Sequence, residues 1–277
     1  MSEFFHLMAA PFVACLVLTG IHAYLGLHVI ERQVIFVDLA LAQIAALGAT
    51  IGLLMGFGLH SGAGYLFGLG FTFIGAVIFA LTRFQEEQIP HEAIIGVVYA
   101  VAAAAVILVL SRSAEGDEDL KALLVGHLLL VDWREIAKVA GIYSAIGFLH
   151  WLARKPLLLI SQRPSEAFAK GMPVRWWDLF FYITFGFVVT SSVEMAGVLL
   201  VFSFLIVPSI CGVLLAKTIG SRLLVGWGIG TLTSVVGISA SYFLDLPTGA
   251  AIVCAFGGML LLVGLLRLVF GERVVVR

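Results

Sequence analysis

Apolar residues run through this chain in blocks of about twenty, broken by short polar turns, and this block length carries the first structural signal. A helix needs about 20 apolar residues to cross about 30 Å of hydrocarbon at a rise of about 1.5 Å per residue. The blocks at 11–30, 34–57, 64–82, 93–111, 136–153, 176–193, 196–216, 223–243 and 248–266 meet that measure and predict nine spans. The fifth has the shortest uninterrupted apolar stretch, with Lys138 near its start and Arg154 and Lys155 closing it. Period-two alternation is absent and the runs are too long for barrel strands. The expected fold is an all-α polytopic membrane protein, a single transmembrane domain over residues 1–277.

Lys and Arg near span ends are retained on the cytoplasmic side, so their placement tests span count and orientation together. With nine spans and the N-terminus outside, Arg32, Arg83, Arg154, Lys155, Arg163, Lys170, Arg175, Lys217, Arg222, Arg267, Arg273 and Arg277 share one side. The other four, Arg112, Lys121, Arg134 and Lys138, gather in or beside one outside segment, 111–135, with Glu115, Asp117, Glu118 and Asp119. This asymmetry predicts a cytoplasmic C-terminus and a cytoplasmic segment at 161–175. The first block lacks the positively charged leader of a secretory signal and reads as a retained span.

Composition excludes most other classes. The 61% apolar and 12% charged content, with a mean hydropathy of +1.11, lies far from the soluble average of about 45–50% apolar and about 25% charged. A formal charge of −1 leaves no basic surface for nucleic acid. Cys15, Cys211 and Cys254 sit in apolar runs and read as small hydrophobes. The phosphate-cradling G-x-x-x-x-G-K-[ST] loop, H-E-x-x-H and G-x-S-x-G are all missing, so neither ATP binding by that loop nor a hydrolase is indicated.

Glycine recurs inside spans, at 64, 68, 70 and 75 in the third and at 226, 228, 230 and 237 in the eighth. Close helix packing is the plain reading, and a small-residue passage the sharper one.

Ionisable groups inside spans are costly and therefore candidates for function. Spans one and two meet near Arg32 and Gln33, so residues whose numbers sum to about 65 share a depth. His22 then lies level with Gln43, and His28 level with Asp38. Imidazole and carboxylate suit zinc, manganese or iron, which makes these four the candidate metal ligands. The competing reading has His22 bonded to a carbonyl and Asp38 capping span two or pairing with Arg32. His60, His91 and His150 read as loop or interfacial residues. Glu194, in an expected outside turn Ser191–Glu194, reads as an outer-mouth residue that attracts cations. Between spans five and six, Pro164 and Pro173 enclose an expected short helix with Ser165 as N-cap and Gly171 as C-cap, a shape suited to docking in another protein's groove.

Several runs resemble the membrane permeases of bacterial ABC importers for zinc, manganese and iron. Gly197 to Ser209 reads GVLLVFSFLIVPS, with Leu214 to Lys217 following, and Ser241 to Gly249 reads SYFLDLPTG. His91 to Val97, HEAIIGV, and Leu124 to Val131, LVGHLLLV, match further stretches in the family order. The resemblance implies a homodimer of permeases, two cytoplasmic ATPase subunits that hold the ATP, and an extracytoplasmic metal-binding protein facing residues 111–134. No cofactor is expected on this chain, and the transported divalent metal is its cargo. The family's coupling helix falls at Ser165 to Gly171, where Glu166, Ala167 and Gly171 echo its E-A-A…G pattern. One departure stands out. The family's second span reads G-D-x-L-x-H, whereas Val37-Asp38-Leu39-Ala40-Leu41-Ala42-Gln43 displaces the carboxylate by one residue and replaces the histidine by Gln43. A one-residue shift turns a helical side chain by about 100°. The expected function is a metal-importing permease subunit, not an enzyme, in the inner membrane of a bacterium. The alternatives are import of a metal chelate or small organic solute, and proton-coupled transport through Asp38 and Glu194.

Overall fold

The computed structural model describes residues 2–58, 61–83, 89–112, 116, 118, 123–124, 126 and 128–270. His60, Glu115, Asp117, Asp119, Lys121, Arg273 and Arg277 lie outside the described residues. In chain order the helices are α1 (Ser2–Glu31), α2 (Val37–Leu54), α3 (Gly62–Leu81), α4 (His91–Leu110), α5 (Trp133–Leu152), α6 (Arg154–Gln162), α7 (Pro164–Ala169), α8 (Val174–Ala196), α9 (Val198–Leu215), α10 (Ile219–Leu244) and α11 (Thr248–Phe270). A short 3₁₀ turn, Leu128–Leu130, precedes α5.

Each predicted span coincides with one helix. Among the described residues, eight helices are long and apolar enough to cross a membrane, and α5 with α6 makes a ninth as a pair bent by 77°. The bend falls at Ala153, just before the Arg154-Lys155-Pro156 sequence, whose two cations are exposed and end the apolar run. Pro156 is tolerated because it stands in the first turn of α6, where a backbone N–H has no helical partner to lose. Asp132 starts α5 by accepting a bond from the Glu135 N–H at 2.7 Å.

Helices α1, α2, α8 and α9 bury most of their spans, while α4, α10 and α11 expose most of theirs. The exposed side chains are apolar, with Leu108, Phe243, Leu261 and Leu268 each at least 70% exposed. Such surfaces suit lipid or another helix rather than water. Consecutive helices are not always neighbours. Helix α1 packs chiefly on α9 and α10, and α2 on α3 and α4, so the first two spans share no extended contact.

Glycines seat several of these contacts. Gly68 lies against the Ala45 carbonyl, Gly75 against Ile44, Gly226 against Pro208, Gly230 against Thr19 and Gly237 against Ile252. Gly70 and Gly228 meet no neighbour, so helix packing accounts for five of these positions and not for those two.

Candidate functional site

His22 is fully buried on α1 and looks toward α5 and α8. Its Nδ1 lies 2.9 Å from the Leu18 carbonyl. A carbonyl only accepts, which assigns the ring hydrogen to Nδ1 and leaves the lone pair on Nε2. Nε2 faces the Ser192 hydroxyl at 3.2 Å. The single Ser192 hydrogen is shared between His22 Nε2 and the Val188 carbonyl at 2.6 Å, and the Ser192 oxygen accepts from the Tyr143 hydroxyl. Tyr143 presents its ring edge to His22 and accepts from Ser191 at 3.3 Å. A neutral imidazole is thus held in one orientation, with the nitrogen that binds metals turned to a polar cluster.

Asp38 lies in the first turn of α2 and is 1% exposed. Neither carboxylate oxygen has a hydrogen-bond partner among the described residues. The two bland roles foreseen for it do not occur. Helix α2 has no side-chain cap, and Arg32 pairs elsewhere. The Phe36 N–H instead reaches Glu92 of α4 at 2.9 Å. An ionised carboxylate buried without a partner is expensive, and a cation relieves that cost. Gln43, one turn and a half further along α2, is 8% exposed.

Glu194 stands where two clefts meet. One, of about 40 Å³, runs between α2, α3 and α8 past Ala45, Gly64, Tyr65, Gly68 and Thr190. The other, of about 510 Å³, is bordered by Asp132, Arg134, Glu135, Lys138 and Ser191. The expected Ser191–Glu194 turn is instead helical. These residues form the last turns of α8, which ends at Gly197 with φ 78°. Gly126 packs against that break, where an added Cβ would strike the backbone of Ala196 and Gly197.

His28 belongs to a different cluster. Its Nδ1 donates to Ser161 Oγ of α6 at 2.8 Å, because Ser161 spends its own hydrogen on the Leu157 carbonyl at 2.8 Å. Arg32 Nε donates to the same Ser161 oxygen at 2.9 Å. Arg32 Nη1 reaches Asp178 of α8 at 2.5 Å, and Arg83 Nη1 spans both Asp178 oxygens at 2.9 and 3.0 Å. His150 is fully buried as well, against the interfacial expectation, with Nε2 on Thr184 at 2.7 Å and Nδ1 on the Tyr24 hydroxyl at 3.3 Å. His91 likewise opens α4 rather than a turn, and Thr82 is its partner at 3.2 Å. The four expected ligands therefore divide: His22 and His28 enter separate networks, and Asp38 and Gln43 lie on a helix that α1 does not pack along. No group of three His, Cys, Asp or Glu side chains able to hold an ion occurs among the described residues. A passage that must release its ion is served by a few weak contacts rather than a closed cage.

The short helix between the Pro boundaries is present as α7. It starts one residue before the expected cap: Arg163 takes that position and Pro164 the first helical one, which leaves Ser165 inside the helix and exposed. Proline's fixed φ suits that first position, hence the shift. Gly171 does follow the helix, at φ 66°, with its N–H on the Phe168 carbonyl at 2.9 Å and the Met172 N–H on the Ala167 carbonyl at 3.1 Å. Ala167 is buried, and Glu166 pairs with Lys170 at 2.7 Å and Arg163 at 3.4 Å. Those two cations hold the Glu166 carboxyl below its usual range.

Comparison with known proteins places this architecture. A profile described as the ABC 3 transport family matches residues 4–267. The chain belongs to the ABC 3 transport family. Within it, the manganese transport system membrane protein MntC of Listeria innocua is 28% identical over 200 residues, 68% of this chain and 69% of its own. The manganese import system permease protein ScaB of Streptococcus parasanguinis is 26% identical over 196 residues, 68% of this chain and 69% of its own. PsaBC from Streptococcus pneumoniae, solved in complex with Fab, shares the fold with a TM-score of 0.76 at 23% identity, covering 95% of this chain and 94% of that one. As an ABC 3 permease, the chain is a multi-pass subunit of the bacterial inner membrane and not itself an enzyme.

Sequence reasoning missed Tyr143, Ser192, Asp178 and Ser161. The rule that singled out Asp38 applies equally to Asp178, a carboxylate in the apolar stretch Trp176-Trp177-Asp178-Leu179-Phe180. The hydroxyl partners carry no comparable signal, since Ser and Tyr are ordinary in membrane helices.

Proposed function

We propose that this permease imports a bare divalent transition metal ion, manganese or iron before zinc, by alternating access. The observation that carries the reading is Asp38, a buried carboxylate left without a protein partner. Its support comes from the His22 lone pair and from the two clefts meeting at Glu194. The named relatives transport manganese, and a further relative from Haemophilus influenzae bears an iron-transport name, which favours those two ions.

On this reading the end bearing Glu194 and residues 111–135 faces outward and receives the ion from an extracytoplasmic metal-binding protein. The ion loses part of its water shell among the small residues of the α2–α3–α8 cleft, then meets Asp38 and His22 with Gln43 near the passage. Segment 161–175, with α7 at its centre, faces the cytoplasm and docks on ATPase subunits that bind and hydrolyse ATP. Two copies of this chain form the transmembrane unit, with the N-terminus outside and the C-terminus inside. Nucleotide-driven closure of the ATPases moves α7 and opens the passage to one side and then the other.

A cargo panel tests the proposal. Cells expressing the permease with its ATPase and binding protein should accumulate manganese or ferrous iron from the free ion. Accumulation only of a chelated metal, or of an organic solute with no metal, would overturn it.

A further inference from the structure

Asp178 is fully buried, and two guanidiniums share it. Arg32 comes from the residue after α1, Arg83 from the segment after α3, and Asp178 from the first turns of α8. Through its Nε, Arg32 also holds Ser161 on α6, three residues before α7 begins. Its guanidinium lies 4.2 Å above the Phe181 ring, which shields the cluster from water. A buried ion pair of this kind seldom adds net stability over an apolar replacement, so its value lies in fixing one geometry.

The mechanical setting gives that geometry a use. Ile160 of α6, Ala167 of α7 and Val174 of α8 form one apolar cluster, packed by Leu159, Phe168 and Trp177. A push on α7 therefore carries α6 and the start of α8 with it as a unit. Hydrogen bonds from that unit to α1 and α3 converge on two side chains, Asp178 and Ser161. Helix α6 leaves α5 at a 77° bend, so the unit lies across the axis of α5 rather than along it.

We infer that Asp178, with Arg32 and Arg83, is the link that transmits displacement of α6 and α7 to α1 and α3, and so couples ATP hydrolysis to opening of the metal passage. These are positioning residues that touch no cargo. The inference rests on the reading of α7 as the ATPase contact. Directional, charge-assisted bonds in a low-dielectric setting transmit a shift that greasy contacts would absorb by sliding.

The test is the ratio of metal transported to ATP hydrolysed, measured on the permease with its ATPase in proteoliposomes. Arg83→Gln leaves one cation on one carboxylate and keeps the fold. It should hold hydrolysis within about twofold of wild type while transport per ATP falls roughly tenfold, a coupling loss of ordinary allosteric size. Arg83→Lys should recover most of the ratio. Asp178→Asn should uncouple in the same way, and Arg83→Gln decides the matter if that variant fails to reach the membrane. A wild-type ratio in Arg83→Gln overturns the inference, as does parallel loss of hydrolysis, transport and thermal stability. Wild-type protein that shows no ATP-driven metal transport would instead overturn the reading of function on which it rests.

Discussion

His22 Nε2 lies 3.2 Å from Ser192 Oγ, joining two helices whose residues stand 170 positions apart in the chain. The Leu18 carbonyl fixes the ring from one side and Ser192, steadied by Tyr143, fixes it from the other. Removing the Tyr143 hydroxyl should therefore loosen the imidazole without emptying the site. Tyr143→Phe should lower stability by about 1 kcal/mol, the ordinary worth of a hydrogen bond, and raise the KM for metal more than it lowers the maximal rate. Thermal unfolding and initial uptake rates check this, and an unchanged KM would separate Tyr143 from the passage.

Asp38 is expected to respond in the opposite sense on stability. A residue kept for the fold destabilises when altered, but an unpartnered buried carboxylate already costs stability. Asp38→Leu should leave the unfolding temperature equal to or above that of wild type while abolishing uptake. Uptake near the wild-type rate would show that the ion passes elsewhere.

The pair His22→Ala with Gln43→Ala should remove metal uptake with membrane insertion intact. Quantified protein in the membrane fraction, set beside accumulated metal, distinguishes lost transport from lost protein. Normal uptake by the double variant would take both residues out of the mechanism.

At α7, Gly171→Ala places a side chain at φ 66°, a conformation that costs a non-glycine residue about 1 kcal/mol at a helix end. The helix end should fray and binding of the ATPase weaken, read as a reduced yield of co-purified subunit. Glu166 adds a pH dependence. Its carboxyl is held below the usual range by Lys170 and Arg163, so the pairing is intact at neutral pH and is lost as pH falls through that lowered value. Subunit yield should fall at acid pH in wild type, and Glu166→Gln should flatten that fall.

The helices were legible in the sequence because span length follows from bilayer thickness alone. Their neighbours were not. Numbers summing to 65 put His22 level with Gln43, yet α1 turned its polar face to α8 and α5, since side-by-side order depends on which small and polar residues fit across distant segments. Asp38 was found by its cost in an apolar run, and Asp178 was legible by the same rule. Arg32 and Arg83 looked like interfacial cations, because nothing local shows that a carboxylate 146 residues beyond Arg32, and 95 beyond Arg83, draws both inward. The α7 cap moved two residues, from Ser165 to Arg163, because Pro164 takes the first helical position.

The most direct measurement locates the ion itself. Anomalous scattering at the manganese absorption edge, recorded from the permease with its ATPase after loading with manganese, should give a peak within ligand distance of an Asp38 carboxylate oxygen or of His22 Nε2. A strong peak bound elsewhere in the membrane domain, with both of those side chains unoccupied, would contradict a passage between α1, α2 and α8.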